Sequence, residues 1–269
     1  MDGPFASDAP KYVHLPQAPI VRTLVQVRFP AFAAFASDDD RVAKQLAMAL
    51  SEEYPRFSAG HEMALMLSPD GVTQQQSAVK LWRYTSADTR WQVSLGPTFL
   101  SVETSNYHRR SHFVTRLMDA WNALSEVALP PVIERVGVRY VNQVTATGHL
   151  DRLSELLRPE VLGVAAISRA GASVRSALAE THFVIDGGEE FQARWGLLPA
   201  GFTPDPLIPA TDGPNWILDM DASQTWLPMG CLAADFDLER IATSLAGRGY
   251  QFYRWAVTDE WLRAFGGDI

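Results

Sequence analysis

Residues 132–144 read VIERVGVRYVNQV, an apolar, β-branched run that carries Arg135 and Arg139 in its middle. Side chains alternate across a strand. Val132, Val136, Val138 and Tyr140 therefore share one face, and Arg135, Gly137 and Arg139 the other. An earlier stretch has the same design. VRTLVQVRF at 21–29 places Val21, Val25, Val27 and Phe29 on one side and Arg22, Gln26 and Arg28 on the opposite side. A second pair of stretches, DRVAKQL at 40–46 and DRLSELL at 151–157, keeps the same separation of 111 residues. Two matches in one register indicate an internal duplication.

Each half follows one course. An alternating strand comes first, and then an Asp-started apolar pattern that predicts a helix near Asp40 and another near Asp151. Strands come next. In the first half they are EMALMLS, AVKLWRYT, WQVSLG and FLSVETS; in the second, SVRSALAETHFVID, FQARWGLL and WILDMDA. Turn-forming SPDG, SADT and DGGEE separate them. A long helix closes each half, with Phe113, Leu117, Trp121 and Leu124 as one stripe and Leu238, Ile241 and Leu245 as the other. GRG at 247–249 is expected to break the second helix before a segment bearing Phe252, Trp255, Trp261 and Phe265.

The predicted fold class is α+β: two tandem β-α-β(3–4)-α units whose antiparallel sheet is curved, with helices on one face. That element order is similar to the TATA-binding-protein arrangement. The expected division is an N-terminal arm over 1–19, a first repeat over 20–129 and a second over 130–269. The second carries a proline-rich insertion at 199–214 that cannot join a ladder.

The helices need the apolar sheet face, so the arginine face is expected to lie away from the core. Arg90, Gln92 and Ser94, Gln192 and Arg194, and Asn215, Asp219 and Asp221 are candidates to extend it. Two readings compete. Arg22, Gln26, Arg28, Arg90, Arg135, Arg139 and Arg194 can line a surface for an anionic or polar partner, because arginine pairs carboxylate or phosphate through a planar fork. The same residues also suit an ordinary solvated sheet face, with Glu134 pairing a neighbouring charge.

Composition narrows the classes. The chain has 269 residues, 47% of them hydrophobic, with a net charge of −8, which argues against a general polyanion binder. Cys231 is the only cysteine, so no internal disulfide or thiolate zinc cluster can form, in keeping with a reducing, cytoplasmic setting; apolar neighbours suggest a buried, inert thiol. The opening MDGPFASDAPKYVHLPQAP lacks the basic and apolar regions of a secretory signal, and no apolar run is long enough to span a bilayer.

Chemistry is sparse. Asp219 and Asp221 share a strand face and form half of a possible divalent-cation site, with Glu180 or His182 as conceivable additions. His108 and His112 stand four apart in HRRSH, beside two arginines that disfavour a cation. His182 reads as a sheet histidine. The tryptophans at 82, 91, 195 and 216 suit core filling. No nucleophile elbow, phosphate loop or dinucleotide fingerprint is present, and no cofactor is expected.

The arm and strand YVHLPQAPIVRTLVQVRF, the mid-chain Glu134, Arg135, Gly137, Arg139, Tyr140 and Asn142, and LDMD at 218–221 resemble the bacterial family called sporadically distributed proteins, over nearly the whole chain. The resemblance implies no catalytic residues. Its patchy distribution implies an accessory role of the defence or toxin–antitoxin-like kind. The leading expectation is a non-catalytic binding module with a protein partner, or a nucleotide or nucleic acid on a local basic face. The alternative is a metal-dependent enzyme, or a small-molecule or nucleotide-binding protein, using Asp219 and Asp221.

Overall fold

The structure is a computed structural model that describes residues 3–5, 10–68, 71–166, 172–185, 187–205, 208–226 and 229–269, with the side chains of 61–79 outside that description. The SPDG turn therefore lies partly outside the described residues.

In chain order, the first elements are β1 (Ile20–Arg28), α1 (Ala33–Ala36), α2 (Asp39–Ala49), β2 (Arg56–Ser68), β3 (Gly71–Thr85), β4 (Trp91–Gly96), β5 (Phe99–Thr104) and α3 (Arg110–Ala128). Then follow β6 (Val132–Ile133), β7 (Arg135–Val144), α4 (Thr147–Leu150), α5 (Leu153–Leu156), α6 (Pro159–Leu162), β8 (Ala177–Ile185), β9 (Glu189–Leu198), β10 (Asn215–Thr225), β11 (Cys231–Leu232), α7 (Leu238–Ala256) and α8 (Asp259–Ala264). The chain is a mixed α+β protein. Nine described strands are hydrogen-bonded in the order β2-β3-β4-β5-β1-β7-β10-β9-β8, a large antiparallel sheet.

Contact density separates two compact units: residues 1–23, 137–224 and 243–269, and residues 24–136 and 225–242. The boundaries fall inside β1, β7, β10 and α7, and the LPP stretch at 129–131 lies within the second of these units.

In the unit built around residues 24–136, β2 to β5 form an antiparallel meander. Alternation along β1 buries Val25 and Val27 while Arg28 is exposed. Phe113, Leu117, Trp121 and Leu124 of α3 are buried, as the stripe predicts. α2 adds Val42, Ala43 and Leu46, and the Tyr84 hydroxyl donates to the Ala43 carbonyl at 3.0 Å. The helix cap is Asp38, whose side chain accepts from the Arg41 amide at 2.9 Å, two residues before the expected Asp40. Asp40 is free to pair with Lys80 instead, at 2.6 Å.

In the other unit, β9 and β10 turn Phe191, Ala193, Trp216, Leu218 and Met220 inward, to a core shared with Leu245, Phe252 and Trp261. Trp216 meets Trp261 edge-on at 5.6 Å, and Trp261 Nε1 donates to the Tyr253 hydroxyl at 2.6 Å. Two expectations fail here. The helix predicted from Asp151 is replaced by the short α4, α5 and α6, because Pro159 holds Arg158 extended at ψ 147 and Leu157 has already left helical geometry. Conversely, GRG does not interrupt α7. Gly249 sits where a Cβ would come within 3.0 Å of the Tyr140 ring, so this glycine serves close packing.

Candidate functional site

The densest polar cluster grows from register. On the β8–β9–β10 ladder, Glu180 faces Arg194 and Arg194 faces Asp219, with His182, Gln192 and Asp221 one step along. All of these lie opposite the buried Phe191 and Ala193. Arg139 of β7 reaches the same carboxylate: its Nε and Nη2 donate to the two oxygens of Asp219 at 2.7 and 2.8 Å. Arg194 Nη2 donates to Asp219 at 2.8 Å. Asp205, from the proline-rich insertion, accepts from Arg139 Nη2 at 2.5 Å and stands 3.8 Å from Arg194 Nη2. Two guanidinium groups and two carboxylates thus alternate. Burial alone would lower the Arg139 pKa, but the hydrogen bonds and charge of Asp219, then Asp205, outweigh it and the net shift is upward.

The insertion also holds on by neutral bonds. Gln143 Nε2 donates to the Pro209 carbonyl at 3.1 Å and to Asn215 Oδ1 at 3.2 Å, and Asn215 Nδ2 donates to Thr211 at 2.8 Å. Ile208 is buried. This corrects the expectation that Arg139 is mostly accessible: its side chain is 18% exposed. The reason is a covering segment whose docking no local pattern announces.

The remaining candidate arginines have other surroundings. Arg22 and Arg135 are half-buried, each with an interaction partner. Gln26 is half-buried. Arg90 lies in the turn before β4, not on a strand, and its amide donates to Asp88 at 3.1 Å. Gln92 is tied to Ser94 and Glu103 at 3.1 and 3.0 Å. Arg28 is different. It is exposed, and its side chain makes no hydrogen bond or ion pair among the described residues.

The acid and histidine candidates are dispersed. Both oxygens of Asp219 are taken by guanidinium groups, so a divalent cation there would meet two positive charges. Asp221 is half-buried with a partner of its own. His182 is an exposed sheet histidine 3.4 Å from Glu190, while Glu180 accepts from Gln192. His108 precedes α3, so it does not share a helix face with His112. Cys231 is half-exposed, not buried, because β11 is a two-residue strand. Among the described residues, no group of three or more His, Cys, Asp or Glu side chains is arranged to hold a metal ion, and no helix is long and apolar enough to cross a membrane.

Sequence reasoning missed two clusters. Arg116 pairs with Glu53, lies 5.4 Å over the Trp91 ring and donates to His112 at 3.4 Å. Burial, followed by the charge of Arg116, holds the His112 pKa below the usual histidine value. In the other unit, the buried Glu189 accepts from Arg248 at 2.6 Å and from Ser244 at 2.9 Å. Neither constellation has a contiguous signature. No protein-family model matches the chain, and no curated protein matches it in sequence.

Proposed function

We propose that this chain is a non-catalytic interaction module, built from two tandem β-α-β(3–4)-α repeats in the manner of the TATA-binding-protein arrangement, and an accessory component of a bacterial defence or toxin–antitoxin-like system. The duplication draws support from strand order: β2-β3-β4-β5-β1 and β8-β9-β10-β7 are the same walk with one strand fewer. The long helices α3 and α7, of 19 residues each, follow β5 and β10.

The observation that carries the functional reading is the contrast among the arginines. Arg139 and Arg194 are neutralised within the chain, whereas Arg28 stands exposed and uncompensated among the described residues. Its guanidinium suits a carboxylate on a protein partner. The metal-dependent alternative loses its main ligand, since Asp219 already serves two cations.

Affinity capture from the native host, with wild type and Arg28→Ala side by side, tests this. The expected result is one partner retained by wild type and lost from the variant, at an unchanged melting temperature. Equal recovery of that partner by both overturns the reading.

A further inference from the structure

Among the described residues, β8 ends the hydrogen-bonded order and pairs on one side only, with β9. An open edge presents a row of unpaired amide and carbonyl groups, and stable proteins blunt such edges with proline, lysine, bulges or a cover. β8 reads ALAETHFVI, with no proline and no lysine, and keeps an unbroken register with β9 from Ala177 to Ile185. On the face bearing Glu180 and His182, its apolar side chains are left in water: Leu178 is 45% exposed and Val184 80%.

The order of those four residues specifies an occupant. Under a two-fold axis perpendicular to the sheet, an antiparallel pair of β8 strands centred on Thr181 sets each Leu178 opposite the partner copy's Val184 and each Glu180 opposite its His182. Apolar meets apolar and acid meets base, twice each. On the other face the same register sets Ala177 opposite Ile185 and Ala179 opposite Phe183, small against large. Shifting the pairing by one residue destroys both matches. An isologous contact requires a surface complementary to itself, and β8 meets that requirement along its whole length. A foreign peptide would have no need of this symmetry.

We infer that β8 is a self-association edge, through which two copies of this chain pair antiparallel about Thr181. One strand pair with its flanking side chains is a small interface, so the dimer is weak and concentration-dependent. The inference does not involve Arg28 and stands without the reading given above.

Sedimentation equilibrium of the full chain, with three variants, decides it. Wild type is expected to show a reversible monomer–dimer equilibrium. Val184→Lys puts an ammonium against the partner's Leu178 and should leave only monomer at an unchanged melting temperature, since the side chain is exposed. His182→Glu sets acid against acid twice per dimer and should weaken association about tenfold. Adding Glu180→Lys to His182→Glu restores opposite charges and should recover the wild-type constant, which a general surface effect would not do. A wild type monomeric at every concentration overturns the inference. So does a dimer indifferent to Val184→Lys, or a His182→Glu defect that Glu180→Lys fails to repair.

Discussion

Arg139 and Arg28 occupy matching places in two similar sequence stretches, 132–140 and 21–29, and have opposite fates. Arg139 is 18% exposed and shares two carboxylates with Arg194. Arg28 is exposed, with no side-chain partner among the described residues. The strand grammar is the same in both places. The difference is supplied by residues 199–214, which in one unit bring Asp205 and the Pro209 carbonyl onto the strand face. Alternation along a strand fixes which way an arginine points. What it meets there depends on sequence that only one copy has.

The largest expected effect comes from the cluster itself. Asp219→Ala leaves two partly buried guanidinium groups around a missing charge, and breaking such a buried pair costs about 3–5 kcal/mol. Denaturant unfolding measures it. A loss under about 1 kcal/mol would mean that water replaces the carboxylate easily and that the two arginines are less different than their burial indicates.

Asp205→Ala probes the covering segment alone. Asp219 still satisfies Arg139, and loss of the Arg139–Asp205 charge-assisted bond costs about 1.5–3 kcal/mol. The amide of Ile208, which donates to the Asp205 carbonyl at 2.9 Å, should exchange faster with solvent, as should that of Gly201, bonded to the Thr211 carbonyl at 2.8 Å. Unchanged exchange at both would show that Gln143 and the buried Ile208 hold the insertion without Asp205.

How much of this was legible follows the range of the interactions. Period-two alternation located β1, β7, β9 and β10, and the 3.6-residue stripe found α3. Alternation did not show that Val132, expected beside Val136, lies in β6, which pairs with β11 in a separate two-stranded sheet. These patterns are local. Helix ends depend on competition between neighbours: Asp38 outcompetes Asp40 as cap, and Pro159 divides the stretch expected to be one helix from Asp151. The glycines at 247 and 249 suggested a break by propensity, but contact with Tyr140 makes Gly249 a packing residue. The site was least legible. Arg139, Arg194 and Asp219 could be placed on one polar face from alternation, yet Asp205 lies 66 residues from Arg139 in a stretch with no periodicity. The Arg116, Glu53 and Trp91 cluster is assembled from α3, the turn after α2 and β4, and leaves no mark in any of them.

The smallest expected effect is the one that isolates the contrast. Arg28→Ala removes a side chain that makes no ion pair among the described residues, so stability should stay within about 0.5 kcal/mol of wild type, as for surface substitutions generally. Arg139→Ala cannot behave this way. It takes from Asp219 and Asp205 a cation held at 2.7 and 2.5 Å and leaves Arg194 at 2.8 and 3.8 Å, in a region shielded from water. Urea midpoints of the two single variants measure the contrast directly, provided that the denaturant slopes agree. Unequal losses, with Arg139→Ala well below Arg28→Ala, fit one arginine held as structure and one left available. Equal losses would mean that Arg28 is bound to the chain in solution as firmly as Arg139, and the motif's two copies would then do the same work.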